Sequence, residues 1–161
     1  MIAVIGCGNP TRSDDGVGPT VVRALGERGI AADPRVRLLD AGTDGMAVMF
    51  AARGCGTLVL VDACRSGSQP GSVFELPGAE LGRRHRASVS LHDFRWDHAL
   101  YAGRRIFGDA FPADVTVILI EAATTGFGLE LSPLVREASK KAVERIEHLV
   151  GARLCAAESV Q

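Results

Sequence analysis

Residues 1–18 read MIAVIGCGNPTRSDDGVG. Ile2 to Ile5 form a short apolar run, which predicts a buried strand. Gly6-Cys7-Gly8-Asn9-Pro10 ends that run, because glycine opens positive φ and proline removes a ladder donor. Two adjacent carboxylates, Asp14 and Asp15, come next. Val17, Val21, Ala24 and Leu25 then recur at helical spacing. The stretch therefore reads strand, tight loop, acidic pair, helix.

A glycine-rich turn after a first strand is the usual setting for a phosphate. Here the residue types oppose it. The dinucleotide fingerprint requires Gly or Ala where this chain has Thr11, and no Gly-Lys-Ser/Thr follows. Two carboxylates at a helix entrance repel a pyrophosphate and suit a cation. The plainer reading of either acidic residue is a helix cap.

The rest of the 161 residues is consistent with one domain, taken as 1–155 with a frayed tail over 156–161. A net charge of −1 gives no electrostatic case for nucleic-acid or membrane binding. No apolar run approaches the length of a membrane span. The four cysteines, Cys7, Cys55, Cys64 and Cys155, are scattered without a Cys-x-x-Cys, as in a cytoplasmic chain with free thiols.

Strand and helix signals then alternate. Val36 to Asp40 and Thr57 to Ala63 read as strands, the second apolar on both faces as a central parallel strand is. Ser72 to Leu76 alternates and reads as an edge strand. Val115 to Glu121 is a further buried strand. Trp96, Leu100, Gly103 and Phe107 mark a helix, with Asp93 as its expected cap. Ser132-Pro133 opens the last helix, with Ser as the cap and Leu134, Ala138, Ala142, Ile146, Leu149 and Val150 as its apolar stripe. The predicted class is α/β, a three-layer α/β/α sandwich with a mostly parallel sheet of about five strands.

In such a sheet ligands gather beyond the carboxyl ends of the strands. Asp15 follows the first strand, Asp62 ends the third, and His92 opens a later helix, so all three share that rim. Two carboxylates and an imidazole suit Zn, Ni, Mn or Fe, with open coordination positions left over. Each residue also has an ordinary structural reading, as cap, turn former or polar helix start. His85 lies in the basic run Arg83 to Arg86, His98 inside a helix and His148 on a polar helix face. Cys7 and Cys64 lie near the rim and read as small buried side chains.

Taken together, Gly6-Cys7-Gly8-Asn9 with Asp14-Asp15-Gly16-Val17-Gly18, Asp40-Ala41-Gly42-Thr43, Val61-Asp62-Ala63, Ser90-Leu91-His92 and Ser132-Pro133 resemble, in order and spacing, the hydrogenase maturation endopeptidases. The resemblance implies an α/β/α sandwich with a five-stranded sheet. It also implies an endopeptidase that removes the C-terminal extension of a nickel–iron hydrogenase large-subunit precursor. By motif position the metal-contacting residues fall on Asp15, Asp62 and His92, and substrate selection on the segment holding Asp40, Gly42 and Thr43. The nickel is implied to arrive with the substrate, with no stably bound intrinsic metal. Glu121 to Thr125 departs from the family's sequence at that point.

Two other classes stay open on residues alone. One is a Rossmann-type nucleotide-binding module, with Asp40 where a ribose-binding acid sits. The other is a non-enzymatic nickel carrier using the same ligands.

Overall fold

The computed structural model describes residues 1–81 and 95–159. His92, with Ser90, Leu91 and Asp93 and the run Arg83 to Arg86, lies outside the described residues. The strands are β1 (Ile2–Cys7), β2 (Val36–Gly42), β3 (Thr57–Cys64), β4 (Val73–Pro77) and β5 (Asp114–Glu121). The helices are α1 (Val17–Glu27), α2 (Gly45–Ala52), α3 (Gly78–Leu81), α4 (Trp96–Phe107) and α5 (Pro133–Glu158). A 3-10 turn, Ser13–Gly16, leads into α1.

The sheet runs in the order β2-β1-β3-β5-β4. β1, β2, β3 and β5 are parallel, and β4 joins the edge antiparallel to β5. The five-stranded α/β sandwich expected from the sequence is the fold observed. Side chains alternate across the central strands because the strand period is two. Val59 and Val61 of β3 face α1 and α5, whereas Leu58 and Leu60 face α2 and α4. All four are fully buried, so β3 carries two cores at once, which is why its centre is apolar throughout.

The start of α1 lies against the carboxyl ends of the central strands. A Cβ at Gly18 would overlap the Cys7 carbonyl oxygen. Gly8, at φ +124°, faces the Asp15 carbonyl oxygen, which a Cβ would also overlap. The glycines of the opening stretch thus permit close helix–strand contact.

Three local expectations are corrected. Neither Asp14 nor Asp15 caps α1, whose start has no side-chain cap. Ser132 does not cap α5 with its own side chain; its hydroxyl donates instead to Asp14 Oδ2 at 2.9 Å, because a carboxylate is the stronger acceptor. Leu134 is 56% exposed, and the buried stripe of α5 begins at Val135 and includes Ser139 and Val143. Leu134 precedes that stripe by one residue, about 100° around the helix, which turns it away from the core.

The end of α5 continues past Ala156 to Glu158, whose carboxylate takes a 3.0 Å ion pair from Arg35. Among the described residues no helix is long and apolar enough to cross a membrane.

Candidate functional site

β1 and β3 are neighbours, yet the sheet continues outward from β1 to β2 and, in the opposite direction, from β3 to β5. The segments following their carboxyl ends therefore diverge and leave a crevice, the topological switch point of an open α/β sheet. A cavity of about 270 Å3 opens there. Its lining includes Cys7, Gly8 and Asp15 from the β1 side, Gly42 and Thr43 from the end of β2, and Asp62, Arg95 and Trp96. Asp15 and Asp62, predicted from the sequence to share a rim, share this cavity.

Asp62 is 3% exposed. Its Oδ1 accepts the Ala63 backbone N–H at 2.8 Å, and its Oδ2 accepts the Trp96 indole N–H at 2.7 Å. The Arg95 guanidinium reaches Oδ2 at 3.2 Å. Burial pushes the Asp62 carboxyl above the usual carboxylate range. The indole, the guanidinium and the Ala63 amide pull it back, while the charge of Asp15 adds to the upward push. The side chain is thus fixed in orientation by donors to both oxygens, two on Oδ2 and one on Oδ1, which leaves Oδ1 the less engaged of the two.

Asp15 is half-buried, and its Oδ2 accepts the Asn9 backbone N–H at 2.9 Å. Its neighbour does something different. Asp14 is fully buried and accepts four donors: the Ala123, Thr124 and Ser132 amides and the Ser132 hydroxyl, at 2.6–3.0 Å. It ties the loop after β5 and the start of α5 to the loop after β1. The acidic pair therefore divides into one structural carboxylate and one that faces the cavity.

Gly42 and Thr43 line the cavity, but Asp40 does not. The Asp40 carboxylate is exposed and accepts the Gly42 amide at 2.9 Å, which shapes the turn presenting those two residues. Asp44 accepts the Met46 and Ala47 amides and caps α2. Cys7 is buried at the cavity wall; burial first, then the charge of Asp62, push its thiol up, which disfavours the thiolate. Cys64 is pushed up to about 12, by burial and by its hydrogen bond to Glu121.

Glu121, at the end of β5, was not read as a site residue from the sequence. It is 3% exposed and accepts the amides of Ser66 and Gly67 and the hydroxyl of Ser66. Those donors hold its carboxyl down at about 2. Arg95 and Trp96 were also missed as partners of Asp62. The available signal was their position, three and four residues after the Ser90-Leu91-His92 motif.

Among the described residues no three His, Cys, Asp or Glu side chains group to hold a metal ion. Three carboxylates line the cavity; Asp44 is engaged in capping α2, and Asp15 and Asp62 are a hard-donor pair that fits part of a divalent-cation coordination sphere.

Comparison with known proteins bears on the fold and the family. The family HycI, hydrogenase maturation protease, matches residues 19–149. The hydrogenase expression/formation protein HupD of Thiocapsa roseopersicina is 32% identical over 145 residues, 89% of this chain. The chain spans 64% of that relative's length. The hydrogenase 2 maturation protease of Escherichia coli (strain K12) is 29% identical over 146 residues, covering 90% of this chain and 87% of the relative. In structure, the hydrogenase maturating endopeptidase HybD from E. coli superposes with a TM-score of 0.78 at 25% identity, over 94% of this chain and 93% of that one. A match across most of the sequence, on a fold whose switch point gathers the two aspartates of the motif, means that this chain belongs to the hydrogenase maturation protease family.

Proposed function

We propose that this protein is an endopeptidase that removes the C-terminal extension of a nickel–iron hydrogenase large-subunit precursor. In this reading the precursor's nickel docks against Asp15, Asp62 and His92 and acts as the recognition signal. The observation that carries it is the meeting of Asp15 and Asp62 at one cavity at the β1/β3 switch point. The chain following His92 is anchored there too, since Arg95 and Trp96 both bond to Asp62.

The roles follow from the donors. The Asn9 amide orients Asp15, and the Trp96 indole and Ala63 amide orient Asp62, so both carboxylates present fixed lone pairs to an incoming cation. Gly42 and Thr43, on the turn held by Asp40, face the precursor beside the scissile bond. Two groups at the rim have the chemistry to activate water: the precursor's nickel as a Lewis acid and a carboxylate as general base. The nickel belongs to the substrate, and no tightly held metal of the protein's own is required. A cytoplasmic site of processing is part of this reading, and four free cysteines are consistent with a reducing compartment.

The test is to incubate the purified protein with nickel-loaded and nickel-free precursor and follow the precursor's mass. The expected result is loss of the extension from the nickel-loaded form alone, and no loss with Asp15→Asn, Asp62→Asn or His92→Ala. Unchanged trimming by His92→Ala, or equal trimming of nickel-free precursor, overturns the nickel-docking reading. A precursor that is bound but never shortened identifies a carrier instead.

A further inference from the structure

Asp15 and Arg95 line a second depression of about 460 Å3 next to the cavity, together with Arg12, Arg65 and Thr125. Three guanidiniums thus face one carboxylate. Arg95 reaches Asp62, but Arg12 and Arg65 form no ion pair among the described residues. Against Asp15, and Asp62 on Arg95, the three guanidiniums leave a surplus of positive charge, which favours an anion.

The trough is also held in place. The Arg12 guanidinium stacks 4.7 Å above the ring of Phe127, a side chain 88% exposed. The backbone on both sides of Arg12 is clamped, with Ser13 N–H donating to Gly128 O at 2.8 Å and Gly128 N–H to Thr11 O at 3.0 Å. Arg65 reaches the Thr125 hydroxyl at 3.5 Å. A planar guanidinium presents paired donors that match a carboxylate, so a fixed cluster of them is a carboxylate receptor.

We infer that Arg12, Arg65 and Arg95 receive the carboxylates of the precursor's C-terminal extension, its terminal carboxylate included. This inference rests on the proposed function. A bond cut at the Asp15 rim has the extension on one side of it, and every C-terminal extension ends in a carboxylate. The trough shares Asp15 with the cavity, so a chain leaving the scissile bond enters it directly. Charge then selects the departing segment, while the cavity holds the metal-bearing part.

The inference is tested with Arg65→Glu and with the double variant Arg12→Glu/Arg65→Glu, both outside the aspartate machinery. Thermal melts establish that each is folded; Arg65 is exposed and among the described residues its guanidinium hydrogen-bonds only Thr125, so the single variant stands if the double does not fold. The expected result is a KM for nickel-loaded precursor raised about tenfold with kcat within about twofold, the pattern of lost ground-state binding. Arg12→Lys/Arg65→Lys restores most of the loss. A KM unchanged by charge reversal overturns the inference. A second arm measures binding of a labelled synthetic peptide of the extension sequence, as free acid and as C-terminal amide with its Asp and Glu replaced by Asn and Gln. Tight binding of the acid alone, lost in the double variant, supports the trough even if the wild-type protein trims nothing and the proposed function falls. Equal binding of both peptides overturns the trough while leaving the trimming assay to decide the proposed function.

Discussion

The Trp96 indole N–H donates a 2.7 Å hydrogen bond to Asp62 Oδ2 at the floor of the cavity. Trp96 opens α4 and Asp62 lies near the end of β3, so the bond ties a helix start to the sheet where the two carboxylates meet. Trp96→Phe keeps an aromatic ring but removes the donor and part of the buried indole volume. An under-satisfied buried carboxylate costs about 1–3 kcal/mol. Urea unfolding should show that loss, and precursor trimming should slow, because Asp62 is no longer held in one orientation.

Trp96 is also the chain's single tryptophan, which makes its fluorescence a reporter on Asp62. Titration with nickel or cadmium should change the emission of the wild-type protein. The change should disappear in Asp62→Asn. An identical titration in that variant would separate the metal response from this carboxylate.

Asp14 and Asp15 should behave oppositely. Asp14→Asn places an amide group among four donors that need an acceptor. The expected cost is about 3 kcal/mol, from more than one lost hydrogen bond to a charged group. Asp15→Asn should unfold at nearly the wild-type urea concentration and yet fail to trim precursor. Denaturant melts and the trimming assay, run on both variants, read the two effects apart.

Glu121 gives a pH dependence with a definite sign. Its carboxyl falls from an ordinary 4.5 to about 2 in the folded chain, through the Ser66 and Gly67 donors. A depressed folded value means that the unfolded chain binds the proton first. The contribution is therefore complete above pH 4.5 and lost as the pH falls through about 2. Glu121→Gln should be less stable than wild type at pH 6, and the difference should narrow steadily towards pH 2. Urea midpoints across that range check it.

Gly18→Ala should fold poorly or not at all. The added Cβ meets the Cys7 carbonyl oxygen, a backbone atom with nowhere to move. Overpacking of this kind costs about 3 kcal/mol or more. Circular dichroism and soluble yield measure it, and a well-folded Gly18→Ala would show that α1 can shift away from the sheet.

Sequence by itself determined the alternation of strands and helices, the doubly buried β3, the edge position of β4 and the nomination of Asp15 and Asp62. These follow from local periodicity and from the rule that loops at strand carboxyl ends share a rim, and both can be read along the chain. Only the tertiary structure decided what Asp14, the neighbour of Asp15, does. Asp14 finds its donors at Ala123, Thr124 and Ser132, partners more than a hundred residues away that the order β2-β1-β3-β5-β4 brings alongside. The same holds for Trp96 on Asp62 and for the guanidiniums of Arg12, Arg65 and Arg95 around one trough. A hydrogen bond or a charge cluster between distant segments leaves no period in the sequence; it exists only once the sheet order has set which loops are neighbours.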